Sequence, residues 1–233
     1  MLRPHHAVLA ALCFLTSCIP YTVGTTAEPV RRGERTTTMS TFVMPSISVL
    51  DSTHSLSNLA TDVESRWGID QRSDIGLRIP AGGMILNYKR LLSAPASLTK
   101  VAVLPGVGFV NFGQHVYFEL SLVASKHSAN HVPSSRSDST FRAQFVPYGG
   151  VRVMQVAPLA QRAVHDRPTA GGFVGVRIGS ADFGLSHQVG VFYDHSALGV
   201  RKNDLVIVPA ISVHGEMMQI LRDIMRGAGP AFF

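Results

Sequence analysis

Ten histidines and two cysteines are the residues of this 233-residue chain best suited to acid–base, nucleophilic or metal chemistry. No pair of histidines falls in the His-Glu-x-x-His spacing that places two ring nitrogens on one helix face. His127 and His131 are four apart, but the Ser, Asn and Pro around them make a loop rather than a helix. There is no Gly-x-Ser-x-Gly elbow, and the glycine runs sit in strand-like segments instead of phosphate loops. The nearest Ser/His neighbours are His54-Ser55 and Asp194-His195-Ser196. Adjacent residues of a strand point to opposite faces, so a catalytic pair would need partners from separate strands. These residues give no catalytic assignment, no metal site and no cofactor, and the chain is expected not to be an enzyme. Cys13 and Cys18 both lie within the first eighteen residues, so the remainder has no disulfide and no thiolate metal site.

The elements that would position any site are strands. Leu59, Thr61, Val63 and Trp67 alternate with Asp62, Glu64 and Arg66, and Ile75, Leu77 and Ile79 with Asp74, Gly76 and Arg78. The same period of two runs through Val116–Leu122, Val174–Ile178, Phe183–Tyr193 and Leu205–Val213. The pattern predicts about ten strands near 40–50, 59–67, 73–80, 83–93, 99–111, 115–126, 141–156, 171–179, 182–195 and 203–214. No helical pattern intervenes, so a parallel α/β sheet is excluded. The expected fold is all-β, an antiparallel up-and-down barrel of about 8–10 strands. Met217, Ile220, Leu221, Ile224 and Met225 then fall at helical spacing and predict a short C-terminal helix before Gly227.

One face of each strand is apolar and the other mixed. Charges recur on the mixed face: Asp62, Glu64, Arg66, Asp74, Arg78, Lys89, Glu119, Arg152, Arg177 and Asp194. Both signs are present, so in a narrow barrel they could pair across the interior as a polar network. In a soluble domain the apolar face would point inward; in an outer-membrane barrel it points to lipid. Aromatic residues near strand ends (Trp67, Tyr88, Phe109, Tyr117, Tyr148, Tyr193) are candidates for interfacial girdles. His187 lies among outward apolar neighbours, which suits an interface better than lipid. The segment Arg66-Trp67-Gly68-Ile69-Asp70-Gln71-Arg72-Ser73-Asp74-Ile75-Gly76-Leu77-Arg78 resembles the hairpin of small outer-membrane β-barrel proteins, and the resemblance extends loosely over 59–214. It implies a membrane-embedded barrel with the mixed face in the lumen. The chain departs from that family in its uneven loop lengths and in a last strand that does not end the sequence.

The first residues read as an export signal. A polar start with Arg3, His5 and His6 precedes the apolar run Ala7 to Leu15, and Leu15-Thr16-Ser17-Cys18 follows. That run is too short to span a bilayer, which needs about 20 residues. The tetrad resembles the lipobox of bacterial lipoprotein precursors. The resemblance implies cleavage before Cys18, acylation of Cys18 with chains such as palmitate, and Leu15, Thr16 and Ser17 as the recognition positions. Ile19 and Pro20 follow the cysteine in place of an acidic residue, which the resemblance links to the outer membrane. The expected organisation is a signal peptide over 1–17, a lipidated tether over 18–38 rich in Thr, Gly, Arg and Glu, a barrel over 39–215, and a helix and tail over 216–233.

Bulk composition agrees. Charged residues make up only 15% of the chain, and the mean hydropathy is +0.19; soluble domains carry about 25% charge. The net charge of +6 is scattered except at Arg31, Arg32 and Arg35, with no recognition motif, so no nucleic-acid partner is expected. The expected partner is membrane lipid. The leading reading is a lipid-anchored, non-enzymatic outer-membrane barrel, structural or small-ligand-related. The alternatives are a lipocalin-like tethered binding module, which requires the apolar face inward, and a lipid-modifying barrel enzyme around His195 and Ser196.

Overall fold

The computed structural model describes residues 20–44, 58–80, 82–94, 96–126, 144–159, 168–179, 183–194 and 204–215. Within them run ten strands: β1 (Arg35–Met44), β2 (Asn58–Gly68), β3 (Ser73–Pro80), β4 (Met84–Leu91), β5 (Thr99–Val110), β6 (His115–Lys126), β7 (Gln144–Pro158), β8 (Thr169–Gly179), β9 (Phe183–Asp194) and β10 (Asp204–Gly215). Each strand pairs antiparallel with the next in sequence, and β1 pairs with β10 to close the ring. At the closure Thr38 lies opposite His214 and Ser40 opposite Ser212. A closed ring leaves no unpaired strand edge. No helix occurs among the described residues; the helix expected after Glu216 lies outside them.

The strand bounds follow the period-two pattern closely except at the start. β1 begins at Arg35, inside the stretch expected to be a tether, and ends at Met44. Its Arg-Thr-Thr-Thr-Met-Ser-Thr run is rich in β-branched threonine, which suits a pleated strand even without an apolar alternation.

The two rims differ. At the terminal rim β1, β3, β5, β7 and β9 begin and β2, β4, β6, β8 and β10 end. At the far rim the odd-numbered strands end and the even-numbered ones begin. Two of its turns pack together: the Phe112 N–H donates to the Gly82 carbonyl at 2.6 Å. Asn111, Phe112 and Gly113 all have positive φ, the left-handed conformation a tight hairpin turn needs. β6 has 12 residues; at about 3.4 Å per residue and a tilt of about 40°, such a strand rises about 30 Å, the thickness of a bilayer's hydrocarbon core.

The charged face points in and the apolar face points out. Leu86, Leu120, Leu122, Val151, Val174, Val191 and Ile207 are exposed around the outer wall, while Asp62, Glu64, Arg66, Asp74, Arg78 and Arg152 are buried. The interior also holds two apolar clusters, one around Phe192 and one around Phe173, but the apolar outer wall and the buried charges depart from the lipocalin-like arrangement, which turns its polar face outward.

Candidate functional site: the charged lumen and its N-terminal strap

Because β2 to β7 each turn alternate side chains inward, their charges meet inside the ring. Arg66 is the hub. Its Nη1 donates to Glu64 Oε1 and to Asn87 Oδ1, both at 2.6 Å, and its Nε to Asp74 Oδ1 at 2.8 Å. Its Nη2 also bonds Asp74. Asn87 Nδ2 returns a hydrogen bond to Glu64 Oε1 at 2.6 Å. Arg78 continues the network, with Nη2 on Glu64 Oε2 at 3.3 Å and Nη1 3.8 Å from Glu119 Oε2. Arg152 binds Glu119 and takes Tyr117 Oη as an acceptor at 3.0 Å; Tyr117 in turn donates to Glu119 at 2.9 Å. Glu64, Arg66, Asp74, Arg78, Glu119 and Arg152 therefore each face an opposite charge through directional hydrogen bonds, the condition under which charges tolerate removal from water.

Of the nine residues expected to form this network, seven are brought together in it: Asp62, Glu64, Arg66, Asp74, Arg78, Glu119 and Arg152. Arg177 on β8 is half-buried. The side chain of Asp194 lies outside the described residues, as do Leu15, Thr16, Ser17, Cys18, His54, Ser55, His127, His131, His195 and Ser196. Tyr117 and Tyr148 are buried in the lumen, which corrects their reading as girdle residues: the pleat of β6 and β7 turns them inward. Trp67, Tyr88, Phe109 and Tyr193 do lie on the outer wall.

The opposite wall is uncharged at its core and was not singled out from the sequence. Ser186 Oγ lies 2.6 Å from His214 Nε2, and Thr38 Oγ1 lies 3.0 Å from His214 Nδ1. Ser40 and Ser212 pair through their hydroxyls at 2.8 Å. A Ser–His contact resembles a catalytic dyad in outline. Here a threonine occupies the place of the orienting acid, and all three groups are buried in the wall.

Between these walls runs residues 20–30, a strap that crosses the lumen. Tyr21 packs edge-on against Phe192 at 5.4 Å near the far rim, in a cluster with Phe42, Ile85, Val110 and Val206. Thr22 Oγ1 donates to Asp62 at 3.0 Å, and the Val23 N–H to Gln188 Oε1 at 3.3 Å. Arg78 donates to the Thr22 and Val23 carbonyls at 3.0 and 3.2 Å, and Arg152 also reaches the Thr22 carbonyl. Further along, the Ala27 N–H meets Ser125 Oγ at 3.2 Å, and Lys89 Nζ holds Thr25 Oγ1 at 2.7 Å and the Glu28 carbonyl at 3.0 Å. The Val30 N–H reaches Asp74 Oδ2 at 2.8 Å, close to the terminal rim. At that rim Gly33, with φ +78°, reverses the chain into β1. The Arg31 carbonyl sits so close to Gly68 that a Cβ there would lie 1.9 Å from it. The stretch expected as a free tether over 18–38 is thus, from residue 20 to 30, the filling of the barrel. It has no apolar period because it is gripped largely through its main chain.

A ten-strand ring explains the fit. Eight strands leave an interior just wide enough for side chains, and sixteen or more leave an open channel. Ten leave room for one extended segment of small residues, and Thr22-Val23-Gly24-Thr25-Thr26-Ala27 is such a segment.

No protein-family model and no curated protein matches the chain. Among solved structures, the outer membrane protein OprG from Pseudomonas aeruginosa is similar over 82% of this chain and 99% of that one, at 12% identity and a TM-score of 0.24. Ail, the attachment invasion locus protein of Yersinia pestis, is similar over 78% of this chain and 96% of that one, at 10% identity and a TM-score of 0.22. The barrel architecture rests on the chain's own strand order and register: ten antiparallel strands closed into one ring.

Proposed function

We propose that the chain is a membrane-embedded β-barrel of the outer membrane, further anchored by lipid on Cys18, with no catalytic role and a lumen sealed by its own N-terminal strap. The observation that carries this reading is the inverted polarity of the wall. Large apolar side chains cover the outside, where water would make them a liability, while the buried charges point inside beside two apolar clusters. Aromatic side chains stand at both rims: Trp67, Tyr88 and Phe145 at the terminal one, Phe109, Phe112 and Tyr193 at the far one. Arg35 lies over the Trp67 ring at 5.2 Å, an arrangement suited to a headgroup boundary.

The outward hydroxyls support the same reading. On the β1–β2 face, Thr37 pairs with Ser65 at 3.2 Å and Thr41 with Thr61 at 3.4 Å. Polar groups facing hydrocarbon must find partners within the protein, and these do. The strap places Tyr21 at the far rim, and Cys18 is three residues before it, within about 10 Å of chain. Acyl chains on Cys18 would therefore enter the leaflet beside that rim.

Fractionation of the wild-type chain and Cys18→Ser separates the two anchors. With a barrel in the bilayer, Cys18→Ser loses incorporation of labelled palmitate yet stays in the membrane pellet after an alkaline carbonate wash. Release of Cys18→Ser into the soluble fraction would show a tethered soluble domain instead.

A further inference from the structure

We propose that the strap is a displaceable plug, and that the lumen behind it is a narrow conduit that passes small inorganic anions in preference to cations. The inference rests on the membrane-embedded reading above.

Three observations carry it. The first is how the strap is held. Its grip on the wall comes from side chains that reach its main chain: two guanidinium groups on the carbonyls of Thr22 and Val23, Lys89 on that of Glu28, and Gln188 and Ser125 on the N–H groups of Val23 and Ala27. Such bonds can be exchanged for water one by one, and they do not depend on a large apolar residue wedged between the strands. Its apolar contacts are Tyr21 against Phe192, and the smaller Val23 and Ala27 among Leu104, Val123, Tyr148 and Phe173.

The second is what remains when the strap leaves. The bonds among Glu64, Arg66, Asp74 and Asn87 run from wall to wall and would stay when the strap leaves, Asp74 giving up only the Val30 N–H, so the ring does not depend on the strap for its charge balance. The wall also approaches the strap closely at Gly24, which has φ +59°; a Cβ there would lie 3.0 Å from Ser40 Oγ. The bore thus fits a main chain with little to spare, and is narrow once vacated.

The third is the sign of what faces the axis. The acids Glu64, Asp74 and Glu119 are engaged sideways by wall cations. Arg78, Arg152 and Lys89 each aim at least one N–H at the strap, while two acids accept from it, Asp62 from the Thr22 hydroxyl and Asp74 from the Val30 N–H. The Nε atoms of Arg78 and Arg152 are buried without any hydrogen-bond partner. Among the described residues the buried cations Arg66, Arg78, Lys89, Lys100 and Arg152 also outnumber the buried acids Asp62, Glu64, Asp74 and Glu119. A vacated bore would present guanidinium and ammonium donors to the axis, which favours small anions such as chloride.

The test uses the full chain reconstituted in planar bilayers under a KCl gradient. Wild type is compared with two variants: one with residues 21–30 deleted, and the double variant Gly24→Cys, Ser40→Cys. The second is a reversible lock, since the Gly24 position lies within disulfide reach of Ser40. Each is first checked for a heat-dependent shift in gel migration; loss of that shift in the wild type would count against the membrane barrel, not the plug. The expected result is brief openings in the wild type, as the strap leaves and returns, and steady current in the deletion variant. The locked variant should show no openings when oxidised and openings like those of the wild type after reduction, and the reversal potential of the deletion variant should move toward that of chloride. An assembled deletion variant that passes no more current than wild type would overturn the plug, and so would a lock whose openings are the same before and after reduction. A cation-preferring current would overturn the assignment of the conduit to anions.

Discussion

Arg66 is the residue on which the lumen turns, because its guanidinium satisfies Glu64 and Asp74 together with Asn87. Removing one partner of a buried ion pair costs about 3–5 kcal/mol, since the carboxylates left behind cannot recover water. Arg66→Met is therefore expected to lose about that much stability, read from the urea midpoint of the refolded barrel in detergent. Arg66→Lys keeps the charge but not the planar fork, and should fall between Met and wild type. A Met variant as stable as wild type would show that the network does not bear on stability. The charges of this network were legible in the sequence because they repeat every second residue opposite an apolar face. Their partners were not: Asn87, Tyr117, Gln188 and the Ser186–His214–Thr38 contact join strands far apart in the chain, and no local spacing encodes such a meeting.

At the scale of the strand, the outer wall makes a sharper demand. Leu120 stands near the middle of β6 with its side chain exposed, while its neighbours Glu119 and Ser121 are buried. An arginine on the lipid face at mid-membrane costs about 2–4 kcal/mol. Leu120→Arg should therefore lower stability by that amount in phospholipid vesicles. The same replacement at Gln71, in the 69–72 turn, should be close to neutral. Equal and negligible effects at both positions would mean that β6 faces water.

The 69–72 turn carries its own pH dependence. Asp70 accepts the Arg72 N–H at 2.6 Å. Hydrogen bonding from Ser73, then from the Arg72 backbone, holds its carboxyl below the usual carboxylate range. The folded pKa is lowered, so its contribution is present above the unfolded value and is lost as pH falls through the folded one. The protection of the turn's amides, taken relative to their intrinsic exchange rate at each pH, should fall on acidification through that window in wild type, and the fall should be absent in Asp70→Asn. Nine of the ten strands were readable from alternation to within a few residues. β1 was displaced because its outward positions carry Thr37 and Thr41, which pair with Ser65 and Thr61 and break the apolar rhythm.

The whole molecule is a ring filled by its own N-terminal segment. The ring's closure was foreseeable from ten regular strands without a helical pattern, but the filling was not. What decides it is the width of a ten-strand ring, a global quantity that no stretch of sequence reports. Gly68 is where ring and strap meet: the Arg31 carbonyl lies against it, and its N–H and carbonyl bond Glu34 and Gly33. Gly68→Val is expected to push the strap from the terminal rim while leaving the ring closed. Faster proteolysis near Arg31 with unchanged gel behaviour would be its signature; cleavage no faster than in wild type would mean that this contact does not seat the strap.

The central claim, a closed barrel with its apolar face in lipid, is tested most directly by electrophoresis in SDS of the membrane-extracted chain, boiled against unboiled. A ring of ten paired strands with a satisfied charged interior should resist detergent at room temperature and migrate as a compact species, shifting to the unfolded position only after boiling. One position, that of the unfolded chain, in both samples would contradict it.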